Sequence, residues 1–145
     1  MPNIKTSLLD VDDCVLIIID IQDHFLGKFP RDEADLLLDH VGWLMEIASI
    51  LRVPMVVTAE ESDRLGGLSS TLAGKLPPGT PQFNKLVFNL ADQPDILQAV
   101  QQTGRHTAVL VGLETDVCVA QSALGLLQRG FQVAAISDAT DSPGG

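Results

Sequence analysis

Three residues of this chain pair reactive side chains with places where a fold could bring them together: Asp20, Lys85 and Cys118. A thiol, a carboxylate and an ammonium are the parts of a nucleophile, an acid/base and a charge stabiliser. Cys118 falls two residues after Asp116, in the first turn of a predicted helix. Unpaired amides and the positive end of the helix dipole would lower the thiol pKa there, and the same amides could hold an oxyanion. The position also suits a small apolar residue packing a helix onto a sheet. Asp20 closes a run of aliphatic residues, where an unpaired carboxylate shifts toward a pKa useful for proton transfer; a capping aspartate would occupy the same place. Lys85, taken alone, reads as a solvated surface lysine.

The elements that must position these residues follow from the apolar pattern. Cys14 to Ile19 is an unbroken, β-branched run that predicts a strand buried on both faces. Leu37, Val41, Leu44, Ile47, Ala48 and Leu51 recur at helical spacing within a helix over about 34–51. A strand over 53–58 follows, then a Gly/Ser/Pro-rich irregular loop over 62–81 and a short apolar edge piece over 86–88, beside Lys85. Asp95 to Gln102 predicts a short helix closed by Gly104, and Thr107 to Leu113 a second central strand. A helix over 116–129, capped by Thr115 or Asp116 and ended by Gly130, precedes a strand over 132–137. Strands alternating with helices imply right-handed βαβ units. The expectation is one α/β domain spanning residues 1–145, a three-layer αβα sandwich around a mainly parallel, doubly wound, Rossmann-like sheet. A further C-terminal strand and helix, usual in such sheets, are expected to be missing. Ligands of open parallel sheets bind beyond the carboxyl ends of the strands, which is where Asp20 and Cys118 fall.

Composition narrows the classes of function. Hydrophobic residues make up 46% and charged residues 19% of the 145, as in a folded globular domain. The formal net charge of −10 leaves no basic patch for nucleic acid or an anionic membrane. No apolar run is long enough to span a bilayer. The stretch Met1 to Asp10 lacks the pattern of a signal peptide. Only two cysteines, Cys14 and Cys118, are present, with neither disulfide nor zinc spacing, so a reducing cytoplasm is expected.

Asp20-Ile21-Gln22-Asp23-His24-Phe25 resembles the Asp-x-Gln-x-x-Phe segment of isochorismatase-like hydrolases. The stretch Gly112 to Val119, with Ala123, Arg129-Gly130-Phe131 and Asp138-Ala139, resembles the nucleophile helix of that family and the strand after it. Asn84-Lys85-Leu86-Val87-Phe88-Asn89 is similar to its lysine segment, with Asn89 where serine is usual. The resemblance runs from about Cys14 to Ala139.

That resemblance implies a catalytic triad of Asp20, Lys85 and Cys118. Cys118 would attack an amide, ureido or carbamoyl carbonyl and form a thioester, the oxyanion held by the backbone amides of Glu114 and Cys118. It further implies a non-proline cis peptide between Leu113 and Glu114, a pocket lined by Gln22 and Phe25, and a homo-oligomer. Nicotinamidases of the family carry an Asp-x-His…His metal cluster after the second strand. Here that region, Thr58 to Asp63, holds no histidine, and His24, His40 and His106 match no ligand spacing. No metal and no cofactor are expected. Haloacid dehalogenase-like phosphatases also place an aspartate after the first strand but need a second one where this chain has Gln22. The remaining alternative is a non-catalytic isochorismatase-like binding or scaffold protein.

Overall fold

The computed structural model describes residues 8–144. The part of the leading segment from Met1 to Ser7 lies outside them. Five strands form one sheet: β1 (Cys14–Ile19), β2 (Met55–Glu60), β3 (Gln82–Lys85), β4 (Thr107–Leu113) and β5 (Gln132–Asp141). Every pairing is parallel, in the order β3-β2-β1-β4-β5. The helices are α1 (Asp23–Leu26), α2 (Arg31–Ile50), α3 (Ser62–Leu65), α4 (Ser70–Ala73), α5 (Pro94–Gln102) and α6 (Ala120–Gln128).

Sequence explains both cores. Successive side chains of a strand point to opposite faces. Leu16, Ile18, Val57, Val109 and Val111 meet Leu37, Val41 and Met45 of α2 on one face. Val15, Ile17, Ile19, Val56 and Leu110 meet Ile96 and Val100 of α5 and Leu126 of α6 on the other. A sheet covered on both sides needs continuous aliphatic strands, as β1 and β4 are. Each fully buried aliphatic side chain contributes about 1.5–3 kcal/mol. The chain winds from β1 outward to β3, returns to β4 and winds out the other way to β5. Right-handed crossovers therefore put α2 and α5/α6 on opposite faces, and they make the β1/β4 boundary the topological switch point.

Helix boundaries follow local chemistry. Pro30 precedes α2, and Asp32 and Glu33 in its first turn complement the helix dipole. Past its end, Arg52 adopts φ 58° before Val53-Pro54, and a residue preceding proline avoids the helical region. Pro94 starts α5, where its missing amide costs nothing. Strand β2 runs two residues beyond its predicted end, to Glu60. The edge strand is 82–85 rather than 86–88, so Lys85 is its last residue. The region 62–81, expected to be irregular, contains the single-turn helices α3 and α4.

Candidate active site

The site forms where β1 and β4 end side by side. Ile19 stands in register with Gly112, and a Cβ on Gly112 would lie 2.2 Å from the Ile19 carbonyl oxygen. Only glycine permits this approach, and its φ of 151° is one that L side chains rarely adopt. Asp20 follows Ile19 directly and takes φ 55°. Asp tolerates the left-handed region better than most residues, and such backbone collects at functional sites. The Asp20 amide donates to the Thr58 carbonyl at 3.0 Å. Its Oδ1 accepts from Thr58 Oγ1 at 2.9 Å, so β2 fixes both ends of the residue.

After β4, Glu114 takes φ 58° and ψ 67° and starts a wide π-helical turn, Thr115–Val119, that leads into α6. The Glu114 carbonyl accepts from the amides of Val117 and Val119. Cys118 therefore sits late in a π turn, a geometry frequent at functional sites, rather than in the first turn of an α-helix. Two expectations are corrected here. No peptide bond among the described residues is cis, that between Leu113 and Glu114 included; the chain reverses through the left-handed Glu114 instead. The thiol also shifts opposite to the direction expected from the helix dipole. Burial, followed by the Asp20 charge, pushes Cys118 up to about 12, with the Lys85 charge opposing.

Lys85 is the largest fully buried side chain, with 0% exposure against 2% for Asp20 and 1% for Cys118. Its Nζ lies 3.0 Å from Asp20 Oδ2 and 3.5 Å from Cys118 Sγ. It also donates to the carbonyl of Val87 at 2.7 Å and approaches that of Phe88 at 3.4 Å. Partners of this kind are what a buried ammonium needs. The strap carrying those carbonyls is pinned to α6: Ser122 Oγ accepts from the Leu90 amide at 3.1 Å and donates to Phe88 O at 3.2 Å. Asn89 Oδ1 accepts from the Ala91 amide at 3.0 Å, a capping task that serine also performs. Its amide group fills the space over Gly125, where a Cβ would lie 2.1 Å from Asn89 Oδ1.

Asp20 Oδ2 meets Lys85 as an ion pair and has no aligned hydrogen bond. It and Thr115 Oγ1 are the buried side-chain polar atoms without a hydrogen-bond partner among the described residues. Both flank the switch point, and a carboxylate with an oxygen within 4.8 Å of the thiol sulfur is a place for a transferred proton. Oxygens of Asp20 and Glu60 and the sulfur of Cys118 lie within 4.8 Å of one another, a set that could hold a metal ion by distance alone. The Lys85 ammonium, 3.0 Å from Asp20, already supplies a positive charge there and would repel a cation.

The two residues expected to line the pocket, Gln22 and Phe25, are both buried. Gln22 is fully buried; its Nε2 donates to the carbonyls of Glu60 and Gly66 at 2.9 and 2.7 Å, and its Oε1 accepts from the Glu60 amide at 2.7 Å. Phe25 lies in the α2-side core, edge-on to the His24 ring, with Lys28 Nζ 4.9 Å from its centroid. Asp116, read as a cap, exchanges hydrogen bonds with Ser142 Oγ instead. Those two residues border a cleft of about 570 Å³ with Thr115, Ser137, Thr140 and Asp141, at the carboxyl ends of β4 and β5. Thr58 and Ser122 escaped the sequence reading, since a lone hydroxyl inside a strand or helix belongs to no motif.

The isochorismatase domain family model matches residues 14–145. The secreted isochorismatase effector Isc1 of Phytophthora sojae is 31% identical over 131 residues, covering 88% of this chain and 61% of the effector. The crystal structure of the YcaC gene product of Escherichia coli, described as an octameric hydrolase of unknown specificity, superposes with a TM-score of 0.82. It is 25% identical, covering 94% of this chain and 67% of that one. A structure of MAR1 ribonuclease from Caenorhabditis elegans gives a TM-score of 0.81 at 28% identity, over 94% of this chain and 69% of that one. The chain spans between 61% and 66% of the length of three curated relatives it matches. With the switch-point architecture in place and the family match running from the first residue of β1, the chain belongs to the isochorismatase domain family.

Proposed function

We propose that this chain is a cysteine-dependent hydrolase of small amide, ureido or carbamoyl compounds, acting through Asp20, Lys85 and Cys118. The observation that carries the reading is the position of Lys85 Nζ, 3.0 Å from Asp20 and 3.5 Å from the Cys118 sulfur, with all three side chains buried. Burying three ionisable groups is costly unless their charges are used.

The raised thiol pKa defines the first step. Cys118 rests protonated and gives its proton to Asp20 as the sulfur attacks the carbonyl carbon. Lys85 stabilises the thiolate while that charge exists. The carbonyl oxygen, now an oxyanion, turns to the backbone amides of Glu114 and Cys118. The C–N bond then breaks, the nitrogen takes the proton from Asp20, and the acyl group stays on sulfur. Asp20 next removes a proton from water, whose oxygen attacks the thioester. The C–S bond breaks, and the sulfur recovers the proton. No step calls for a metal or cofactor, and Lys85 fills the role that a cation would have.

The substrate is a small molecule. Net charge −10 argues against RNA, even though a structural relative is named a ribonuclease. Self-association is part of the proposal. Leu36, Trp43 and Ile50 lie exposed along α2 at seven-residue spacing, with Trp43 61% accessible, and the YcaC relative is described as octameric. No helix of the described residues is long and apolar enough to cross a membrane. Free Cys14 and Cys118 fit a reducing cytoplasm, although one relative is named a secreted effector.

The test is ammonia release from a panel of small amides, ureido acids and carbamoyl compounds. Cys118→Ala should abolish it while the far-ultraviolet circular dichroism is unchanged. Undiminished turnover by that variant would remove Cys118 as nucleophile; silence of the wild type on the whole panel would favour a non-catalytic binding protein. Stoichiometric zinc in active protein would overturn the metal-free mechanism.

A further inference from the structure

The strand end that carries Glu60 is held on both sides. Gln22 accepts from its amide at 2.7 Å and donates to its carbonyl at 2.9 Å. Its carboxylate has no hydrogen bond or ion pair among the described residues, although burial is enough to raise its pKa, with Lys85 opposing the rise. An oxygen of that carboxylate, an oxygen of Asp20 and the Cys118 sulfur lie within 4.8 Å of one another. A carboxylate carried beside a nucleophile by a backbone that Gln22 holds, with its acceptor sites open, lacks only a donor.

The attacked carbonyl either supplies that donor or does not. Once its carbon is bonded to the Cys118 sulfur, three other groups remain on it. The oxygen turns to the backbone amides. The leaving nitrogen must lie within reach of Asp20, which protonates it. That leaves the Glu60 carboxylate, the other acid with an oxygen within 4.8 Å of the sulfur, to meet the third group. In a urea or carbamoyl amine this group is an N–H. In a simple carboxamide it is carbon, and the carboxylate would be covered without a partner.

We propose that Glu60 is a specificity-determining residue that accepts a hydrogen bond from an N–H on the non-leaving side of the attacked carbonyl, so that the site selects ureas and carbamoyl compounds over simple carboxamides. The inference rests on the cysteine-hydrolase reading above.

Methylurea and propanamide test it, because they differ only in an N–H replaced by CH₂ on that side. The readout is the ratio of kcat/KM for the two, which cancels their intrinsic reactivity when variants are compared. Glu60→Leu should shift the ratio toward propanamide by roughly ten- to a hundredfold, the size of one charge-assisted hydrogen bond. Glu60→Gln keeps an acceptor oxygen and should hold an intermediate ratio. A ratio unchanged within about twofold in both variants, or wild-type turnover of propanamide with none of methylurea, overturns the role of Glu60 and leaves the hydrolase reading standing. Ammonia release from neither compound nor from the wider panel, or release that survives Cys118→Ala, overturns that reading and this inference with it.

Discussion

Gly112 lies against Ile19 so closely that a Cβ on it would sit 2.2 Å from the Ile19 carbonyl oxygen and 2.8 Å from the Ile19 Cβ. This contact sets the spacing of the two strand ends from which Asp20 and Cys118 depart. The clash is with backbone at the centre of a five-stranded sheet, where no flexible group can give way.

Gly112→Ala should therefore destabilise the fold by about 3 kcal/mol or more, since it combines overpacking with a strained φ. Denaturant unfolding of the two proteins measures this. Gly67, whose Cβ would meet nothing within 4 Å, is the control, and Gly67→Ala should be close to neutral. Equal midpoints for Gly112→Ala and the wild type would mean that β1 and β4 can separate at little cost, and that the site is looser than its geometry.

The Lys85–Asp20 pair should reveal itself by non-additivity. Removing one charge leaves the other buried and uncompensated, which costs about 3–5 kcal/mol, whereas removing both can be nearly neutral. Lys85→Met and Asp20→Asn should each lower stability strongly. The double variant should lose much less than the sum of the two single losses. Chemical denaturation of the four proteins closes the cycle. Strict additivity would place the two groups in independent, solvated environments, contrary to their 0% and 2% exposure.

Residue by residue, sequence legibility tracked the range of the physics involved. Asp20 and Cys118 were legible because the strands before them are unbroken aliphatic runs whose ends a parallel sheet must expose. Lys85 was weak alone because lysines are mostly solvated; its burial depends on β3 lying at the sheet edge and on carbonyls of the 86–88 strap. The helices α3 and α4 are four residues each, too short to register a helical period. The π turn depends on a left-handed Glu114, for which the sequence has no marker. The thiol environment was misjudged for a related reason. A helix end offers only local amides, whereas burial beside Asp20 is set by residues about 100 positions away.

That environment gives the last prediction. Burial and the Asp20 charge move the Cys118 thiol from an ordinary 9.0 up to about 12. The native state thus holds its proton more tightly than the unfolded chain. The stabilisation is fully present below about pH 9, where both states are protonated. It is lost as pH rises toward 12, because the unfolded thiol ionises first and unfolding then releases a proton. Stability should fall with pH through this window, and Cys118→Ala should make the fall shallower. Burial also raises the thiol of Cys14, so that a residual slope remains in the variant. Alkylation of Cys118 by iodoacetamide in the free protein should climb with pH from neutrality to about pH 10 without reaching a plateau. A plateau near pH 7, with an alkaline stability slope untouched by Cys118→Ala, would mean that the thiol rests as a thiolate paired with Lys85. Asp20 would then be released from the first proton transfer and left only the later ones.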